Sequence, residues 1–98
     1  MTENEFRGAR LLAALSNVIR FRIVLLLDKR CLTPRQLAAR LRRTVPRISH
    51  HLAVLRATDV VRFKVADGEH FYWLKEPEAA RLCQRAVEIG KRMRAVSS

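Results

Sequence analysis

The stretch TPRQLAARLRRTVPRISHHLAVL, Thr33 to Leu55, decides the fold of this chain. It reads as two short helices joined by a tight turn. Thr33 can cap the first helix, Pro34 suits its first position, and Gln36 stands at the spacing of a capping box. Leu37, Ala38 and Leu41 then form an apolar stripe. Thr44 is the next cap, and Pro46 is tolerated in a first turn, where its missing N–H has no intrahelical partner. Ile48, Leu52 and Leu55 fall at i, i+4 and i+7, one buried face of a second helix. Arg47, Ser49 and His50 must therefore point outward. A helix, a turn and a helix with a polar leading edge is how a helix-turn-helix presents itself to a DNA major groove.

Outward from this stretch, SHHLAVLR at Ser49–Arg56 is followed by VRFKVADGEHFYWL at Val61–Leu74 and preceded by ALSNVIRFRIVLLL. With these in order, roughly from Leu11 to Pro77, the chain resembles the ArsR/SmtB group of winged-helix repressors. The resemblance implies that Asn17 caps the second helix and that Arg20 matches the family's usual arginine. It also implies a homodimer whose seam is formed by the first and last helices, positions 6–15 and 77–96. The chain departs from the family pattern at Asp59, where a helix-closing Gly is usual, and at Arg42 and Arg43, which replace a Gly and an apolar residue in the inter-helix turn.

Ninety-eight residues form one domain, spanning 1–98, small enough that a dimer interface would add stability. No apolar run approaches a membrane span, and Glu3 and Glu5 stand where a signal peptide would be basic. A cytoplasmic location is expected. The net charge of +11 is concentrated: from Lys29 to Lys64 there are ten Lys or Arg and one acid, Asp59. A solvated basic surface would suffice for a run of this kind alone. Its coincidence with the helix-turn-helix favours a phosphate-binding face.

Along the chain, residues 1–5 read as a frayed start, Phe6–Leu15 as a first helix and Val18 to about Asp28 as a second. In the second, Ile19, Ile23, Leu26 and Leu27 would face the core, with Arg20 and Lys29 outside. Cys31-Leu32-Thr33 reads as a short third strand. Val61–Val65 and His70–Leu74 form a hairpin through Asp67-Gly68, the wing, with Asp67 and Glu69 making its tip less basic than is usual for the family. From Glu76-Pro77-Glu78 the last helix carries an apolar stripe of Ala79, Leu82, Ala86, Ile89 or Gly90, and Met93. A strap over its own core is the plain reading of that stripe; the dimer seam is the one the resemblance implies.

No residue pattern supports catalysis, and no metal site or cofactor is expected. His50 and His51 are adjacent, so they diverge by about 100° on a helix. His50 should meet DNA while His51 packs inward. The thiolate pair of the metal-sensing relatives would fall at Thr33 and Arg35, and no histidine lies beyond His70 to complete a site on the last helix. Cys31 and Cys83 remain, favoured as inert, part-buried thiols. The sharper alternative is a redox sensor of the kind some relatives build from two cysteines.

The expected fold is therefore mainly α with a small β-hairpin wing, in the order α-α-β-α-α-β-β-α. The expected function is a sequence-specific, double-stranded-DNA-binding regulator, a homodimeric repressor on an inverted-repeat operator. It is not an enzyme and has no membrane partner, and the sequence specifies no effector. Arg47, Ser49 and His50, with Thr44 and Val45 ahead of them, would read base edges. Arg47 is the best guanine reader because its fork matches O6 and N7. Arg43, Arg62, Lys64 and His70 would hold phosphates. The competing reading is a winged-helix module that binds a protein or RNA.

Overall fold

Helix α2, Val18–Leu27, is the pillar of the molecule. A computed structural model describes residues 1–93, and in it α2 packs against α1 (Glu3–Leu15), α3 (Pro34–Leu41), α4 (Val45–Ala57), β2 (Glu69–Leu74) and α5 (Glu78–Arg92). A helix with this many neighbours carries apolar residues well beyond one face, and in VIRFRIVLLL only Arg20 and Arg22 are polar, with Arg22 at the surface. Ile23, Val24 and Leu27 are buried, while Ile19 and Leu26 are only partly so. Asn17 caps the helix by accepting from the N–H groups of Ile19 and Arg20.

The N-terminus is better ordered than its polarity suggests. Residues 3–5 belong to α1, because Thr2 and Glu5 form a reciprocal capping box, at 3.0 and 2.8 Å. The same device starts α3. Thr33 Oγ1 accepts from the Gln36 N–H and the Gln36 side chain accepts from the Thr33 N–H. Thr44 caps α4, with Pro46 in its first turn. Leu37, Ile48, Leu52 and Leu55 are fully buried where α3 and α4 meet the core. Truncating any of them to Ala would cost about 2–5 kcal/mol.

Both helices of the helix-turn-helix close through a residue in the left-handed region that is not glycine. After α3 it is Arg42 (φ 55°), with the Arg43 N–H reaching back to the Ala38 carbonyl. After α4 it is Asp59 (φ 64°), whose N–H bonds the Arg56 carbonyl while the Val60 N–H bonds that of Leu55. The paired bonds at Asp59 are a Schellman closure. Arg42 and Asp59 thus close both helices without a glycine and put a charge at each closure.

The wing is an antiparallel pair, β1 (Val61–Ala66) with β2, in register from Val61↔Leu74 to Ala66↔Glu69. Asp67 (φ 52°) and Gly68 (φ 76°) make its two-residue turn, both at positive φ as a type I′ hairpin requires. Val61, Tyr72 and Leu74 face the core. The expected third strand shrinks to one bridge: Leu32 and Tyr72 exchange both backbone hydrogen bonds, at 3.1 and 2.8 Å. Thr33 turns at once into its capping role, so no ladder follows.

In α5 the core claims Ala79, Ala80 and Cys83. Of the expected stripe only Ala79 is buried; Leu82, Ala86, Ile89 and Met93 are exposed. The helix ends at Arg92, Met93 is extended, and positions 94–96 of the expected 77–96 span lie outside the described residues. A strap over its own core would have buried that stripe, so the strap reading fails for the outer face of α5.

Candidate nucleic-acid interface

The leading end of α4 is an exposed, cationic edge. Ile48, His51, Leu52 and Leu55 turn inward, which leaves Val45, Pro46, Arg47, Ser49 and His50 at the surface. Arg42, Arg43, Thr44 and Arg47 line an open cleft at this end. Three guanidinium groups there add to the partial positive charge of a helix N-terminus, and no acid occupies the first turn of α4. Such a cleft suits a phosphate or a base edge rich in acceptors.

Each expected contact residue has a definite local role. Thr44 Oγ1 accepts from the Arg47 N–H at 3.4 Å, so its hydroxyl oxygen is occupied as a cap. The Arg43 guanidinium donates to the carbonyls of Leu41 and Arg42 at 3.3 and 3.1 Å, closing the C-terminus of α3. On the wing, Arg62 pairs with the Asp59 carboxylate at 3.5 Å, and the His70 ring lies against Phe63 with centroids 4.5 Å apart. Lys64 is exposed. Arg42 was not among the expected contacts, yet its left-handed backbone sets its side chain at the mouth of the cleft. The signal was its position in the inter-helix turn, where a glycine would have left the cleft without this side chain.

Beneath the edge, Arg20 is not outside as its charge suggested but partly buried. Its Nε–H donates to the Ala14 carbonyl at 2.7 Å, and Nη1 lies 3.2 Å from Nδ1 of His51. A guanidinium can only donate, so His51 Nδ1 accepts and the ring is neutral with its proton on Nε2. Burial, then the charges of Arg20, His50 and Arg47, hold the His51 pKa below its ordinary 6.5. Asp59 also titrates low, chiefly because the Lys75 ammonium bonds its carboxylate.

The two cysteines differ more than expected. Both are free thiols, but Cys31 is exposed and Cys83 is buried, and burial pushes the Cys83 thiol up so that it keeps its proton. Cys83 lies in an apolar groove between α1 and α5 lined by Leu12, Leu15, Phe21, Leu82, Arg85, Ala86 and Ile89. Among the described residues no three His, Cys, Asp or Glu side chains come together as a metal site, and no helix is long and apolar enough to cross a membrane.

Comparison with known proteins agrees with this geometry. Residues 17–62 match the family described as bacterial regulatory protein, arsR family. Among solved structures, HlyU from Vibrio cholerae N16961 superposes with a TM-score of 0.82 at 27% identity, over 91% of this chain and 97% of that one. The transcriptional repressor BigR from Xylella fastidiosa superposes at 0.74 with 25% identity, over 95% and 94% of the two chains. The homodimeric winged helix-turn-helix DNA-binding domain of Mb0332 from Mycobacterium bovis shares the fold, with a TM-score of 0.80 at 19% identity over 94% and 89%. A search of curated proteins returned no match. The cap-and-turn geometry of Thr33–Leu55, the hairpin behind it and these likenesses converge: residues 17–62 carry a helix-turn-helix of the arsR type, and the chain is a winged helix-turn-helix, DNA-binding transcriptional regulator.

Proposed function

We propose that the protein is a homodimeric repressor that binds an inverted-repeat operator, one recognition helix α4 per half-site. The observation that carries this reading is the division of α4 into a fully buried face and a polar, cationic edge. Arg47, Ser49 and His50 read base edges, with Thr44 and Val45 at the leading end. Arg42 and Arg43 hold phosphates beside the helix, and Lys64, Arg62 and His70 do so from the wing. Lys64 is the strongest wing contact, since Arg62 is shared with Asp59 and His70 with Phe63.

The dimer forms through α1 and α5. Leu12 on α1 and Leu82 and Ile89 on α5 are large apolar side chains left at the surface around the groove above Cys83, and Phe6 and Val87 are exposed elsewhere on the same two helices. Their exposure on two neighbouring helices exceeds scattered surface apolarity and suits a second copy of the chain. Both thiols serve packing or solvent contact in this reading, with no disulfide between them.

Selection of bound duplexes from random DNA tests the whole proposal. Enrichment of a two-fold-symmetric sequence, with affinity falling steeply as salt rises, is the expected result. Enrichment of an asymmetric single site, or no enrichment, would overturn it.

A further inference from the structure

Within the cationic edge of α4 lies one place that cannot read DNA by hydrogen bonding. Val45 and Pro46 are consecutive, both exposed, and sit between Thr44 and Arg47 in the first turn. Val45 leaves 39% of its surface open, and of the large apolar side chains at the surface it is the one on the recognition helix. Neither side chain donates or accepts, and Pro46 lacks even a backbone N–H. The surrounding charge of Arg42, Arg43 and Arg47 fixes what comes near: a polyanion. In the major groove of DNA, four bases display donors and acceptors, and thymine alone adds a methyl group, at C5.

We infer that Val45, backed by Pro46, reads the 5-methyl group of a thymine in each half-site. The inference rests on the proposed function, since it needs α4 in the major groove. It assigns the leading residues a role separate from that of Arg47, Ser49 and His50. Those select bases by their hydrogen-bonding edges, while Val45 selects by shape and apolar contact. A β-branched side chain suits the task, because its χ1 is stiff and its two methyl groups present a fixed surface.

The test is a uracil scan. Uracil pairs as thymine does and differs only by the missing methyl group. After selection of a preferred site, each thymine is replaced in turn by deoxyuridine, and binding is measured for the protein and for Val45→Ala. One thymine per half-site should lose about fourfold in affinity for the unaltered protein, the worth of one buried methyl group, and about sixteenfold when both half-sites are replaced. Val45→Ala, which keeps one methyl group where valine has two, should show a smaller uracil penalty than the parent, while its thermal melt matches the parent's. A flat scan, or a uracil penalty that Val45→Ala retains in full, overturns this inference and leaves the proposed function standing. Failure to enrich any duplex removes both.

Discussion

The leading edge of α4 and the outer face of α1 and α5 are both exposed, yet they are built from opposite chemistry. The first gathers Arg42, Arg43 and Arg47 around a polar cleft; the second leaves Leu12, Leu82 and Ile89 uncovered around an apolar groove. Both rest on one small core, so neither is a by-product of poor packing. On the proposed function, the difference teaches how a 98-residue chain divides its surface: charge where a polyanion is to be held, apolarity where a second copy is to dock. Each can be broken without disturbing the other, and that independence is what mutations should show.

The largest effect is expected at the apolar face. Ala86 is exposed and lines the groove, so Ala86→Glu should leave the monomer folded but put a charge into the seam. Sedimentation should show monomers, and specific affinity should fall about a hundredfold or more as two linked half-site contacts become one. An unchanged dimer would break the assignment of this face. Next comes the cationic edge. Arg47→Ala should cost on the order of 1–3 kcal/mol on the selected site and far less on random duplex, with the dimer intact. Equal losses on all sequences would make Arg47 a phosphate clamp and move the reading to Ser49, His50 and Val45.

A smaller effect is expected from the wing. Lys64→Ala should weaken all sequences alike and lower the salt slope by about one unit per contact, two for a symmetric dimer. An unaltered slope would show the wing to be idle. The smallest effect concerns the support under α4. His51 titrates below its ordinary 6.5 in the fold, so below that value the unfolded chain binds more protons than the folded one. Stability conferred by neutral His51 is fully present above about 6.5 and is lost as pH falls from there through the lowered folded pKa. Denaturation midpoints should therefore drop between pH 7.5 and 5.5. His51→Gln, which can still accept from Arg20, should flatten that slope, and an equally steep slope in this variant would move the titration to another group.

What the sequence revealed and what it concealed follow from the range of the forces involved. Caps act over three residues, so Thr33-Gln36 and Thr44 could be read directly; Asp67-Gly68 declared the hairpin in the same way. Thr2 and Glu5 carry the same local signal, overlooked because a polar terminus suggested fraying. Periodicity left Val24 out of the core, since the apolar residues of α2 run well beyond a single face. In α5 it picked out a stripe that, Ala79 apart, stays outside the core, and it missed Ala80 and Cys83, which the core takes. The exposure of Arg47, Ser49 and His50 was legible from their outward positions on α4. The partners of Arg43, Arg62 and His70 were not, because they depend on turns and strands brought together only by folding.

Arg20 has a consequence for how this sequence can drift. From α2 its planar fork reaches the last turn of α1, through the Ala14 carbonyl, and the ring of His51 on α4. The two neighbours are met from separate nitrogens of one rigid plane, a spacing that a lysine ammonium, with its three donors on a single nitrogen at the end of a flexible stem, does not reproduce. The helix carrying one half of the apolar face and the helix carrying the cationic edge are therefore riveted to the same group. Substitutions that tilt α1 at Ala14 will be felt in the pose of α4, so the two surfaces, separable by mutation at their tips, are obliged to evolve together at their root.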